Sequence, residues 1–129
     1  MQASDLVTIW SAPDNSRLTA KQFSIRLPVH VAARLAALEE LYPTRSRTQL
    51  VGDLLAAAIA EVEKSLPTYA SGEQVDEHPD TREALFDAGG PGANFRDAAN
   101  RHYAEIERDL GNESPAKLYS GPYRVTADG

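Results

Sequence analysis

Residues 20–27, AKQFSIRL, alternate strictly: Phe23, Ile25 and Leu27 fall on one side, and Gln22, Ser24 and Arg26 on the other. A period of two marks a strand with one face turned to a core. Pro28 closes the segment, because proline cannot continue a ladder. What makes this feature constraining is its isolation. No second segment before residue 67 reads as a strand, so this one has no partner in its own chain. An unpaired strand exposes a row of backbone donors and acceptors, which invites pairing with another chain.

The pattern then changes period. In residues 29–42, VHVAARLAALEELY, the apolar positions Val31, Leu35, Leu38 and Leu41 or Tyr42 recur at helical steps. Pro28 suits the first turn, and Pro43 forces the end because the residue before a proline avoids the α region. Residues 46–66 predict a second helix. Ser46 and Gln49 fit a capping box. Leu50, Val51, Leu54, Leu55, Ala58, Ile59 and Val62 form a wide apolar face. Gly52 costs about 1 kcal/mol in a helix interior relative to Ala, which suggests a close helix crossing there. Pro67 stops the helix.

One strand and two helices are too few residues for a good core. An intertwined homodimer solves both problems. Two strands pair as an antiparallel ribbon, and their apolar faces close onto four helices. Gln22, Ser24 and Arg26 then project twice from one exposed ribbon. A two-stranded ribbon fits the major groove, where Gln pairs with adenine, Arg with guanine, and Ser with either. A merely solvated strand face would show the same residues, but the two helices that follow favour the DNA reading. The start of the second helix adds an anion site, since its free amides carry partial positive charge. Lys21, Arg45, Ser46, Arg47 and Thr48 are the expected phosphate contacts.

QFSIRLP, an amphipathic helix, and SRTQLV opening a second helix resemble the ribbon-helix-helix family of Arc-, MetJ- and CopG-like repressors. The strand is especially similar to that of Arc repressor, which also presents a Gln, a small polar residue and an Arg before a Pro. The resemblance covers about residues 20–66. It implies a dimer on operator DNA, with Gln22, Ser24 and Arg26 as base readers and Ser46 with its neighbours as the phosphate clamp. The family often has Gly between its helices; here the turn is Pro43-Thr44-Arg45.

The charge divides with the pattern. The chain has 13 Lys plus Arg and 19 Asp plus Glu, a net of 13 − 19 = −6. Residues 1–66 hold seven of each sign, so the whole excess lies in 67–129. Residues 67–93 are rich in Gly, Pro, Ser, Asp and Glu and read as linker or disorder, with a short helix at about 81–87. Residues 94–110 predict a helix that starts near Asn94 and Asp97 and stops at Gly111. Residues 111–129 read as an irregular tail. Leu85, Phe86, Phe95, Tyr103 and Ile106 form apolar stripes suited to a protein partner.

The expected fold is therefore mainly α: a ribbon-helix-helix dimer with one strand and two helices per chain, and an acidic, partly helical C-terminal extension. Its divisions are an N-terminal arm at 1–18, the DNA-binding and dimerisation domain at 19–67, and the extension at 68–129. Trp10, in the arm, either packs on the domain or stacks on a base or partner.

Several classes fall away. There is no Cys, so no disulfide scaffold or cysteine-ligated zinc is expected. His30, His78 and His102 are isolated, which argues against a metal, and His102 falls on the apolar side of its helix. Gly89-Gly90-Pro91-Gly92 lacks the Lys-Ser/Thr and the preceding strand of a phosphate loop. Neither catalysis nor a cofactor is expected. The longest apolar run, Leu54 to Ala60, has seven residues against the roughly 20 of a membrane span. A soluble, cytoplasmic protein is the expectation. The expected function is sequence-specific transcriptional regulation, as a repressor bound to double-stranded DNA. Two alternatives stand beside it. One is an antitoxin whose acidic C-terminal half neutralises a basic toxin while the N-terminal half autoregulates. The other is an accessory DNA-binding factor of plasmid partition or conjugation.

Overall fold

The structure, a computed structural model, describes residues 5–10 and 17–127. Residues 11–16, within the expected N-terminal arm, lie outside the described residues. The chain divides into two compact units, Met1–Lys64 and Ser65–Gly129.

The first unit is helical. A short turn of helix, α1 (Leu6–Ile9), precedes the extended segment that ends at Pro28. Next come α2 (Val29–Leu41) and α3 (Arg47–Ser65). Proline opens α2 as its sequence implies: the Pro28 carbonyl accepts from the amides of Val31 and Ala32, both at 3.0 Å. Tyr42 caps the other end, its amide donating to Leu38 O at 2.9 Å, and Pro43 follows. The capping box of α3 is made in both directions. The Gln49 amide donates to Ser46 Oγ at 3.2 Å, and the Ser46 amide donates to Gln49 Oε1 at 2.9 Å.

The core of this unit is small. Leu6, Trp10, Leu35, Leu50 and Ala57 are buried, with Leu38, Tyr42, Val51 and Leu54 packed around them. On α2 it is Tyr42, not Leu41, that turns inward: Leu41 is exposed, while Tyr42 is half-buried and meets Trp10 edge to face at 5.1 Å. Trp10 packs on the domain and has no ring free for stacking on a base. Its Nε1 donates to Asp53 Oδ2 at 2.8 Å. Among the described residues nothing lies within 4 Å of a Cβ added at Gly52, apart from its own helix backbone and chain neighbours, so no close helix crossing among them accounts for that glycine.

The second unit overturns the expected fold class. Residues read as linker and tail form a three-stranded antiparallel sheet in the order β1-β2-β3: β1 (Tyr69–Glu77), β2 (Ala84–Gly89) and β3 (Arg124–Val125). Between β2 and β3 runs α4 (Pro91–Asp109), which packs against β2. About 47% of the described residues are helical and 15% are strand, so the chain is mixed α/β and not mainly α with one strand. Residues 20–27, the one strand expected, enter no sheet; among the described residues 22–27 make no backbone hydrogen bond.

Each difference has a local cause. The β1–β2 pairing is broken by irregularities between Ser71 and Gln74 and between Gln74 and Asp76, with Gly72 at a φ of 71° in the first. Those extra residues erase the alternation by which a strand is read. The hairpin is closed by His78. Its amide donates to Glu83 O at 2.8 Å, while its Nδ1 accepts from the amides of Asp80 and Thr81. The helix expected at about 81–87 is therefore this turn running into β2, a case of the ambiguity of short apolar runs.

The start of α4 also differs. It begins at Pro91, not near Asn94, because proline at the first helical position is already set for the helix. Gly90 before it has a φ of 87°, and a Cβ there would lie 2.6 Å from the Tyr69 ring. Contrary to the sequence reading, the Gly89–Gly92 run does follow a strand, β2, and its glycines serve close packing against residues 68 and 69. His102, expected to pack, is exposed and faces Glu105 at 3.7 Å. Gly111 ends α4 at a φ of 95°, as its sequence implies.

Candidate nucleic-acid interface

The extended segment 20–27 keeps its alternation without a sheet. Gln22, Ser24 and Arg26 are exposed, as is Lys21. Its apolar side is exposed too: Phe23 by 76%, Ile25 by 69% and Leu27 by 39%. An alternating segment with both faces in water contradicts its own pattern, since bare apolar patches on monomers mark interaction surfaces. Beside it lies an apolar groove of about 260 Å³, lined by Ile25, Leu27, Ala32, Leu35, Val51 and the stem of Arg47. The groove brings the segment, α2 and the start of α3 together.

The residues read as phosphate contacts have separate fates. Arg45 is buried, its Nε donating to the Trp10 carbonyl at 3.1 Å. It ties the N-terminal turn to the helices, and a guanidinium so placed is not an exposed phosphate contact. Ser46 spends its hydroxyl on the cap. Helix geometry leaves the first amides of α3 without intrahelical acceptors, and the Ser46 cap takes only that of Gln49. Those of Arg47 and Thr48 remain, on exposed residues.

Arg47 is exposed but engaged. Its Nε and Nη2 donate to the two carboxylate oxygens of Glu39 at 2.7 and 3.3 Å. The hydrogen bond from Arg47 holds the Glu39 carboxyl below the usual carboxylate range, with desolvation opposing and charge attraction reinforcing it. The same bond raises Arg47. Nothing in the sequence period announces this pair, because Glu39 and Arg47 meet across the turn between two helices. Nor does it announce the contact of Trp10 with Asp53, 43 residues apart.

In the second unit, Leu85, Phe86, Phe95, Tyr103 and Ile106 are all half-buried. Phe86 sits mid-sheet, opposite Gln74 and Val125. Phe95 meets Tyr119 edge to face at 6.3 Å. Phe86 and Phe95, expected to be open to a protein partner, thus take part in the unit's own packing. What the unit leaves open is the acidic strand β1, nearly all exposed and carrying Glu73, Asp76 and Glu77.

Among the described residues no group of three or more His, Asp and Glu side chains converges to hold a metal ion. None of the described helices is long and apolar enough to cross a membrane. Comparison with family models, curated proteins and solved structures returned no match.

Proposed function

We propose that this chain is a sequence-specific DNA-binding regulator that acts as a homodimer. The observation that carries the reading is the exposed, alternating segment 20–27, which fills no sheet in its own chain. Pairing with the same segment of a second copy would satisfy its backbone and cover Phe23, Ile25 and Leu27. The apolar groove beside it gives the arriving side chains a seat. Such a pair fits the major groove, and Gln22, Ser24 and Arg26 carry the donors and acceptors that distinguish bases. Arg47, Thr48 and the first amides of α3 supply the phosphate contacts that fix its register. Bound to an operator that overlaps a promoter, the dimer represses by occlusion.

The test is selection of bound sequences from random DNA, followed by binding of the selected site. Arg26→Ala is expected to cost about 1–3 kcal/mol on that site and to relax base preference at one position. Equal loss on selected and random DNA would make Arg26 a phosphate contact and remove its reading role.

A further inference from the structure

The second unit holds a cavity of about 230 Å³ between α4, β2 and the loop at 117–123. Its walls are fixed in place. The Asn100 side chain binds the Tyr119 backbone on both edges, donating to its carbonyl at 3.0 Å and accepting from its amide at 2.8 Å. The Ala88 amide donates to the Tyr123 carbonyl at 2.8 Å, so the loop is pinned to β2 as well. The Arg96 guanidinium lies over the Tyr123 ring at 4.2 Å and near that of Tyr119 at 5.1 Å. A guanidinium stacked on rings is oriented by them while its N–H edge stays free to donate.

The charges lining this cavity, Arg96 and Lys117 against Asp87 and Asp97, sum to zero but are not paired with one another. Among the described residues neither Arg96 nor Lys117 has a carboxylate partner, and Asp97 has no cation. Arg96 and Asp97 are successive on α4, and successive helical residues do not face each other. Asp87, also in the lining, makes one long ion pair, with Arg124 at 4.0 Å. Opposite charges held apart in one preformed cavity complement a molecule that carries both. The volume is just under the roughly 300–1,000 Å³ of drug-sized sites, so the molecule is small.

We propose that this cavity binds a small zwitterion of the amino-acid class, its carboxylate on Arg96 and Lys117 and its ammonium toward Asp97 and Asp87. The experiment is an amide NMR titration of the full-length protein with each proteinogenic L-amino acid, and with acetate and ethylamine as singly charged probes. Saturable shifts at Asn100, Tyr119 and Tyr123 are expected with at least one amino acid, and binding about tenfold or more weaker with either single charge. Lys117 and Asp97 are exposed, so Lys117→Met and Asp97→Asn should keep the spectrum of the folded protein while weakening that amino acid by about tenfold each. No saturable shift with any amino acid overturns the proposal. So do acetate or ethylamine binding as tightly, shifts that map elsewhere, or affinity unchanged in both variants.

Discussion

Arg45 and Arg47 stand two residues apart at the mouth of α3, and only one of them is exposed. Arg45 points inward and holds the Trp10 carbonyl. Arg47 points outward but is claimed by Glu39. A phosphate at the start of α3 must therefore displace a carboxylate before it gains the guanidinium. Glu39→Gln removes that competitor. DNA affinity should rise, and the slope of log affinity against log salt should steepen by about one for each Arg47 that gains a phosphate. Unchanged affinity and slope in gel-shift series would place Arg47 away from the phosphates. The pair also has a pH signature. Because the folded pKa of Glu39 is depressed, the contribution of the pair is present above the ordinary carboxylate range and is lost as pH falls through the lowered value. An NMR titration should find Glu39 below an ordinary glutamate, and Arg47→Gln should return it. The two arginines look alike in sequence, because a fixed charge two places along a turn carries no mark of which way it faces.

At the scale of elements, segment 20–27 and α3 make the same demand. Gly52, Leu55, Ile59 and Val62 follow one another at helical spacing and form an exposed stripe. Phe23 and Ile25 are barer still. Burying one such large side chain is worth about 1.5–3 kcal/mol, so Phe23→Ser should dissociate the dimer, measured by sedimentation. A dimer of unchanged affinity would exclude the apolar face of the segment from the interface. Gly52→Ala separates the two surfaces. On an open helix face it stabilises by about 1 kcal/mol through propensity, and the melting temperature rises. If a second copy crosses closely at Gly52, the added methyl group weakens dimerisation instead. The helices α2 and α3 were legible in sequence because their signals are local: Pro28 and Pro43 around one, Ser46 and Gln49 opening the other. The hairpin was not. Strand β1 is exposed along its length and interrupted at Gly72, so it has no buried face to impose alternation. Strand β2 has only six residues, with its apolar run broken by Asp87, and its partner lies beyond a turn built by the His78 side chain.

For the whole molecule, the net charge of −6 conceals two bodies of different sign balance. The first unit, Met1–Lys64, carries seven acidic and seven basic residues and sums to zero. The second carries twelve acidic and six basic, 6 − 12 = −6. The DNA-binding surface proposed for the first unit gains from phosphates, while the net charge of the second unit opposes the approach of any polyanion, an effect that salt screens. This repulsion acts equally on every sequence, whereas base contacts act on one. The second unit is therefore expected to suppress non-specific binding more than specific binding, and so to sharpen discrimination. Removing residues 65–129 tests this. The remaining unit keeps segment 20–27, α2 and nearly all of α3, and it should still dimerise by light scattering. Its affinity for random DNA at low salt should rise more than its affinity for the selected site, and the gap should close as salt screens the charge. An equal rise on both, or none on either, would separate the acidic unit from DNA selection and leave it to the small-molecule cavity it contains.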